Sequence, residues 1–254
     1  KLLSQLTKKN IVYNFRENDI KNGGEGAPLT PIFHQLLLKQ KKVEVPACIL
    51  NIGGISNITI VRNYNPYDFT SRDIGPGNCL IDSWIRKNSE KKFDKDGFLA
   101  NKGISNEIIL EQAQELYSNR PNQNTLSLDV NDFDVSFARG LSLEDGAATL
   151  TDFTGRIIGA ALFSLLSNVR KKIWKVLVSG GGRKNKSLIK RIKERTLKNI
   201  VLQPIDDYGV NGDFVESQAF AYLAIRSFIK EPISFPDTTG CSKPVSGGDI
   251  ILTR

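Results

Sequence analysis

An aspartate followed by a turn of glycine and proline is the stretch of this sequence best suited to chemistry. It runs Arg72-Asp73-Ile74-Gly75-Pro76-Gly77-Asn78. An apolar, β-prone run from 68 to 74 leads into it, and a helical pattern with apolar residues on one face follows: Leu80, Ile81, Trp84 and Ile85. This pattern predicts a strand, a tight turn and a helix. Asp73 is then expected at the carboxyl end of the strand, beside a helix amino terminus whose free N–H groups and dipole attract anions.

In that position Asp73 would hold a general base close to a phosphate group. A second interpretation fits the same residues, because aspartate side chains often hydrogen-bond the backbone of a turn. Asp73 would then be only a turn cap. The motif alone does not separate the two interpretations.

Two other glycine-rich turns could receive a phosphate or a nucleotide through backbone N–H groups. Gly53-Gly54 lies between two β-prone runs within 48–61, which predicts a hairpin whose tip needs unusual backbone angles. A plain hairpin explains these glycines equally well. Ser179 to Gly182 separates a strand at 174–178 from a helix at 185–198. The turn at 179–182 has neither the spacing of a P-loop nor that of the dinucleotide-binding fingerprint.

Residues 21–31 form a third glycine- and proline-rich segment. Such a loop lets the backbone approach a ligand closely, although a plain connection has the same composition. His34 follows in a short apolar helix, where a lone histidine is more often packed or hydrogen-bonded than catalytic.

Of two longer helical patterns, the first is interpreted as core and the second as an amphipathic helix. In the first, one stripe carries Phe153, Ile157, Ala161, Leu165 and Val169. In the second, which begins near Glu216, the apolar side carries Phe220, Leu223 and Phe228. A final strand is expected near 250–253.

The composition is that of a globular protein that uses acidic partners. The chain has 254 residues, 40% of them hydrophobic, and a net charge of +8, so it can form one large domain or two small ones. The three cysteines and one histidine have no metal-ligand spacing, and the 93–97 loop lacks most of the ligands of a calcium loop, so no protein metal site is predicted. No long apolar run suggests a membrane span or a signal peptide, which favours a cytoplasmic protein.

The sequence begins at Lys1 and contains no methionine. A translated chain starts with one, so we expect this sequence to be a downstream part, or fragment, of something longer.

Several segments together, in their order and spacing, resemble the anhydro-N-acetylmuramic acid kinase family over essentially the whole chain. The segments are Phe15-Arg16 with Asp19 and Gly23-Gly24-Glu25-Gly26-Ala27-Pro28-Leu29, Leu50 to Asn57, Asp73 to Asn78 with Asp82, Val178 to Gly182 with Asn185, Gly212-Asp213 with Glu216 and Ala219 to Ala221, and Thr239-Gly240. Each part is weak, but the set is specific.

The resemblance implies an α/β protein with the two-lobed sugar kinase, Hsp70 and actin fold, in which mixed sheets are flanked by helices. It divides the chain into a remnant of the first lobe with the substrate loop (1–45), a nucleotide-binding lobe (46–230) and a carboxyl-terminal segment that packs back toward the first lobe (231–254). It also implies a reaction in which ATP, with Mg²⁺, phosphorylates O6 of 1,6-anhydro-N-acetylmuramic acid while water opens the anhydro ring. The product would be the N-acetylmuramic acid 6-phosphate of cell-wall recycling.

The resemblance also assigns residues by their positions in the motifs. Asp73 is expected to be the catalytic base. The residues expected to bind the sugar are Arg16, Asp19, Gly24 and Glu216. The residues expected to bind ATP are Gly53, Gly54, Gly75, Gly180, Gly181 and Gly182.

The chain also departs from the family. Its members open with a phosphate-binding hairpin that has no counterpart between Lys1 and Arg254, and Ser217 and Gly247 stand where alanine and leucine are expected. We therefore expect an incomplete first lobe, impaired catalysis by this chain alone and rescue by a separate amino-terminal lobe. A homodimer is a further expectation from the relatives.

An alternative function is a non-catalytic nucleotide- or nucleic-acid-binding protein that uses the basic stretch from Arg170 to Lys198. Against it, Leu188 and Ile192 fall on one stripe of the predicted helix, which leaves the lysines as an ordinary solvated face. No aromatic residue alternates with the basic ones, as binding to single-stranded nucleic acid would favour.

Overall fold

The computed structural model of the protein describes residues 2–119, 127–167 and 173–253. Within these ranges the helices are α1 (Leu2–Thr7), α2 (Glu17–Lys21), α3 (Pro31–Gln40), α4 (Cys79–Asn88), α5 (Phe98–Lys102), α6 (Glu107–Ser118), α7 (Leu143–Leu166), α8 (Lys186–Arg195), α9 (Val215–Phe228) and α10 (Pro236–Thr239). The strands are β1 (Ile11–Tyr13), β2 (Ala47–Ile52), β3 (Ile55–Val61), β4 (Phe69–Pro76), β5 (Trp174–Ser179), β6 (Ile200–Pro204) and β7 (Asp249–Ile251).

The larger sheet has five strands in the order β4-β3-β2-β5-β6. β5 runs parallel to both of its neighbours, with Leu50 opposite Val178 and Val176 opposite Leu202. The two-residue connection between β2 and β3 fits only antiparallel neighbours. The sheet is therefore mixed, and with its flanking helices it confirms the predicted α/β class.

The chain divides into two compact units. Unit 1 comprises Lys1–Ala47, Thr59–Arg72 and Phe214–Arg254, and unit 2 comprises Cys48–Ile58 and Asp73–Asp213. Three of the four boundaries fall inside β2, β3 and β4, and the fourth lies just before α9. The sequence-based division into 1–45, 46–230 and 231–254 stays a prediction about lobes.

In unit 1, β1 pairs antiparallel with β7, with Val12 opposite Ile250. The rings of Phe15 and Phe220 lie 5.5 Å apart, which packs α9 beside the end of β1. The expectation that Phe228 belongs to the apolar side of α9 is wrong, because its side chain is 56% exposed. The buried line of this helix runs instead through positions spaced by four: Val215, Ala219, Leu223 and Ser227.

In unit 2, α7 is the central helix, and α4, α5, α6 and α8 all pack on it. Phe153 and Ile157 are buried as predicted, but the stripe then continues through Leu162 and Leu166. A helix has 3.6 residues per turn, so a line drawn every four residues drifts off the buried face and must slip by one. Val169 lies outside the described residues.

By length and composition α7 could cross a membrane, but 67% of its most apolar window is buried within the protein. That burial is what a core helix of a globular unit shows, and it explains why the helix is so apolar.

Candidate active site

Asp73, the predicted base, lies inside β4, three residues before the strand ends. The strand is longer than the sequence pattern indicated, because it continues through Gly75 and Pro76. The Asp73 carboxylate is half-buried, and its Oδ2 accepts a 2.7 Å hydrogen bond from the backbone N–H of Leu128. A hydrogen bond to an ionised carboxylate is short and directional, so this contact fixes the orientation of the group.

The turn after β4 contacts the Gly53-Gly54 hairpin tip. The N–H groups of Gly77 and Cys79 donate to the Gly54 carbonyl at 2.8 and 3.1 Å, and that of Asn78 donates to the Gly53 carbonyl at 2.7 Å. These three N–H groups at the start of α4 are therefore occupied by protein carbonyls. The expectation of N–H groups free for an anion is therefore wrong for Gly77, Asn78 and Cys79, because the hairpin tip lies directly against the helix amino terminus.

The hairpin itself forms as predicted, but not for the expected reason. Neither Gly53 nor Gly54 has a positive φ angle. A Cβ added at Gly77 would lie 3.1 Å from the carbonyl oxygen of Gly54, tighter than ordinary contact. Close approach of the hairpin tip and the turn after β4 thus accounts for the glycine at position 77.

In the turn after β5, three consecutive glycines have different surroundings. Gly180 has a φ of +77°, and a Cβ at Gly182 would lie 2.7 Å from the Cβ of Ile52. The fold therefore requires glycine at both positions. Gly181 is exposed, and a Cβ there would have Nδ2 of Asn78 as its nearest neighbour, 3.9 Å away. Only Gly181 leaves space that a side chain could fill without strain.

A cavity of about 430 Å³ opens beside Gly181. Its walls include Asn78 and Asp82 from α4, Asn185 from the start of α8 and the loop at 93–96. Its volume falls within the range of small-molecule sites. The cavity adjoins the carboxyl ends of β2 and β5, since Asn78 donates to the carbonyls of Ile52 and Gly53 at 3.3 and 3.0 Å. Ligands of α/β proteins characteristically bind at this end of parallel strands.

Asp82 is a titratable residue of this cavity that stands in one of the motif segments but was assigned no role from the sequence. Burial raises the pKa of the Asp82 carboxyl to about 6, opposed by nearby Arg86 and reinforced by the charge of Asp94. The available signal was spacing, because Asp82 follows Asn78 by four residues and shares its helix face. A half-buried carboxylate that is costly to ionise, in a cavity, is a candidate functional group.

Arg183 holds the glycine turn in place. Its guanidinium donates to the Gly180 carbonyl at 2.9 Å, to both carboxylate oxygens of Asp206 at 2.7 and 3.1 Å, and to Asp213 at 2.8 Å. The hydrogen bond from Arg183 lowers the pKa of Asp206 to about 2. Sequence reasoning had counted Arg183 only as part of the basic stretch.

The predicted sugar-binding residues lie in unit 1. Arg16 is exposed at the residue before α2, and Glu216 is exposed in the first turn of α9. Asp19 is only 1% exposed, and Gly24 is half-buried beside it. Their contacts with a sugar stay predictions.

Among the predicted ATP-binding glycines, Gly75 has a packing role that needs no nucleotide. A Cβ there would lie 2.5 Å from Cγ2 of Ile157 on α7, and its φ is +153°. Contacts of Gly75, Gly53 and Gly54 with ATP also stay predictions.

Within the basic stretch, α8 presents a solvated face, because its Lys186, Lys190 and Lys193 are exposed. Leu188 and Ile192 are buried, as the stripe predicted. Residues 170–172, which also belong to this stretch, lie outside the described residues.

Within the described ranges, no group of three histidine, cysteine or carboxylate side chains could hold a metal ion. In the 93–97 loop, both Asp94 oxygens are used locally. They accept from the N–H groups of Leu99 and Ala100 at 2.8 and 2.9 Å and thereby begin α5.

The fold is that of an α/β protein with a mixed sheet and a cavity at the ends of its parallel strands, the place where such proteins characteristically bind ligands. Residues 1–253 match the AnmK family, described as anhydro-N-acetylmuramic acid kinase, and the chain belongs to that family. The family predicted from the motifs is thereby confirmed.

Individual relatives of this chain carry the same name as the family. A protein of Pelagibacter ubique (strain HTCC1062) named anhydro-N-acetylmuramic acid kinase is 55% identical over 250 residues, which cover 98% of this chain and 67% of the relative. A protein of the same name from Zymomonas mobilis is 40% identical and is covered to 65% of its length, against 98% of this chain. The chain thus spans about two thirds of the length of these relatives.

A solved structure titled as the activator of the 2-hydroxyisocaproyl-CoA dehydratase from Clostridium difficile with bound ADPNP is a looser match. It is 13% identical with a TM-score of 0.42, over 77% of this chain and 69% of that one. At that score the likeness bears on no residue or function of this chain.

Proposed function

We propose that this chain carries out, or forms the larger part of an enzyme that carries out, the ATP-dependent phosphorylation of 1,6-anhydro-N-acetylmuramic acid with hydrolytic opening of the anhydro ring. The observation that carries the proposal is the family match over residues 1–253. The reaction produces N-acetylmuramic acid 6-phosphate and ADP and belongs to cell-wall recycling.

In the proposed mechanism Asp73 accepts a proton from water, and the water oxygen bonds to the anomeric carbon. The bond between that carbon and O6 breaks, and its electron pair leaves with O6. O6 bonds to the γ-phosphorus, whose bond to the bridging oxygen of ADP breaks. One carboxylate suffices, because O6 receives the phosphoryl group and needs no separate acid. The Leu128 N–H supports this role by holding the carboxylate in one orientation.

The cavity beside Gly181 suits the nucleoside part of ATP by its size and by its position at the strand ends. Asp82 and Asn78 would offer polar contacts there. Mg²⁺ usually bridges phosphate oxygens, keeps several waters and needs few protein ligands. Binding of Mg²⁺ through ATP therefore requires no cluster of three protein ligands, and the described residues contain none.

The proposal also includes the other properties expected from the sequence. The enzyme is cytoplasmic and forms a homodimer, its sugar contacts come from Arg16, Asp19, Gly24 and Glu216, and its lobes follow the division into 1–45, 46–230 and 231–254. Activity of the 254-residue chain alone is low, and a separate amino-terminal lobe restores it.

The test compares two proteins. One is the 254-residue chain, and the other is the same chain joined to the part of the Pelagibacter ubique relative that it does not match. Both receive ATP, Mg²⁺ and the anhydrosugar, and ADP release and product mass are measured. The joined protein is expected to form one ADP per sugar and a product heavier by one phosphoryl group and one water. Failure of both proteins would refute the function. Full activity of the shorter chain would refute only the impairment, and strong salt-dependent retention on DNA without sugar turnover would favour the nucleic-acid alternative.

A further inference from the structure

A buried carboxylate organises the glycine-rich loop of unit 1. Oδ2 of Asp19 accepts a 2.7 Å hydrogen bond from the backbone N–H of Gly26, and Oδ1 accepts a 2.6 Å hydrogen bond from the hydroxyl group of Thr239. Asp19 is 1% exposed and Thr239 is fully buried. The two residues that meet here are 220 positions apart in the sequence.

Two backbone hydrogen bonds also stabilise the loop at this place. The N–H of Gly24 donates to the carbonyl of Asp19 at 2.9 Å, and the N–H of Glu25 donates to the carbonyl of Thr239 at 2.8 Å. A Cβ at Gly24 would lie 2.5 Å from the carboxyl carbon of Asp19. Glycine at 24 is therefore required by the carboxylate beneath it.

The charge of Asp19 is balanced by hydrogen bonds and not by a cation, since no lysine or arginine of the described residues forms an ion pair with it. A buried carboxylate is costly unless its oxygens accept hydrogen bonds. Loss of either donor would deprive the buried carboxylate of one of its hydrogen bonds, so the loop conformation is coupled to both contacts.

We propose that Asp19 and Thr239 are positioning residues that hold the loop at 23–26 in the shape that binds the sugar. The inference rests on the proposed function. Gly23 and Glu25 remain exposed on the outer side of the loop, where a ligand can reach them. A loop that is already ordered loses less conformational entropy when it binds a ligand, so the hydrogen bond between Asp19 and Thr239 contributes to affinity beyond any contact that Asp19 itself makes with the sugar.

The chain offers a matched pair of variants. Thr239→Val removes the hydroxyl that bonds Asp19. Thr238→Val removes an equally buried hydroxyl that bonds only the local carbonyl of Phe235, at 3.0 Å. Thr239→Ser keeps the hydroxyl and should retain the parent's properties.

Calorimetry measures the Kd of each variant for 1,6-anhydro-N-acetylmuramic acid and for ATP, in the joined protein described above, and hydrogen exchange reports on the amide of Gly26. Thr239→Val is expected to weaken sugar binding by about tenfold or more and to speed exchange at Gly26, because it leaves a buried charge short of one donor. ATP affinity should stay within about twofold of the parent, since ATP is proposed to bind in unit 2.

Unchanged sugar affinity in Thr239→Val would overturn the inference and leave the proposed function standing. So would an equal loss of sugar and ATP binding, or an equal loss in Thr238→Val, because either marks general destabilisation. A parent protein that binds ATP but no sugar would refute the proposed function itself.

Discussion

The backbone N–H of Leu128 donates to Oδ2 of Asp73 over 2.7 Å, joining the inside of a strand to a segment 55 residues further along the chain. The amide oxygen of an asparagine can accept the same bond, so Asp73→Asn should preserve the local structure while removing the base. We expect sugar turnover by the joined protein to fall by about 10²- to 10⁴-fold, as loss of a general base does. The ATP Kd should be unchanged, and the ADP-release assay would contradict the assignment if the variant worked as well as its parent.

The glycines after β5 give a second prediction. Gly181→Ala meets no atom closer than 3.9 Å and should leave the melting temperature unchanged, but its methyl group enters the cavity. ATP affinity is expected to fall by roughly tenfold, the effect of one overpacked contact.

Gly182→Ala is the control for that prediction. Its Cβ would lie 2.7 Å from the Cβ of Ile52, so this variant should lose about 1–3 kcal/mol of unfolding free energy. Titration of ATP and thermal unfolding distinguish the two effects. Unchanged affinity in Gly181→Ala would remove the cavity from the nucleotide site.

The raised pKa of Asp82 leads us to expect that the stability of the protein depends on pH. The folded protein raises the pKa of this carboxyl to about 6, above the value in an unfolded chain. The folded state therefore binds the proton more tightly, and the contribution of Asp82 to stability falls as the pH rises from 4 to 6. Asp82→Asn should accordingly be more stable than the parent at pH 7, by about 1 kcal/mol after allowing for solvent screening, and this gain should vanish at pH 4.

Urea unfolding at the two pH values measures this difference. Asp96→Asn is the matched control, because Asp96 lines the same cavity, is exposed, and has a φ of 58° that asparagine tolerates. A variant at 82 that is less stable than its parent at pH 7 would show that Asp82 is structurally required.

His34 gives the opposite pH dependence. It is buried, its Nδ1 lies 2.8 Å from the Thr59 hydroxyl, and burial lowers its pKa to about 4. The unfolded state binds the proton more tightly, so the stability contributed by neutral His34 is present above pH 6.5 and is lost as the pH falls toward 4. Between pH 7 and 4.5 we expect His34→Asn, which keeps a polar atom near Nδ1, to lose about 2 kcal/mol less than the parent. Parallel stability curves for the two proteins would contradict this.

Local features of the fold were predictable because they depend on residues within a turn or two of each other. The apolar face of α4 is buried at all four predicted positions: Leu80, Ile81, Trp84 and Ile85. Asn185 begins α8 by accepting from the N–H of Leu188 at 3.0 Å. Periodicity and capping are local rules, and here they gave the right elements.

Errors arose where packing between distant segments overrides a local rule. Glycine is locally unfavourable inside a helix, yet Gly146 lies within α7, where a Cβ would overlap the indole of Trp84 on α4. The N–H groups of Asn78 and Cys79, at the start of α4, were expected to be free and instead donate to the carbonyls of Gly53 and Gly54. Neither partner is apparent from the spacing in the sequence.

The sequence by itself determined the family, the order of the glycine turns and the types of the main elements, because motif order and periodicity are properties of the linear chain. Only the tertiary structure decided that Leu128 orients Asp73, that Asp82 is difficult to ionise in its cavity and that Thr239 meets Asp19. Burial and hydrogen bonds across 55 or 220 residues depend on how whole elements pack, and no local pattern encodes them.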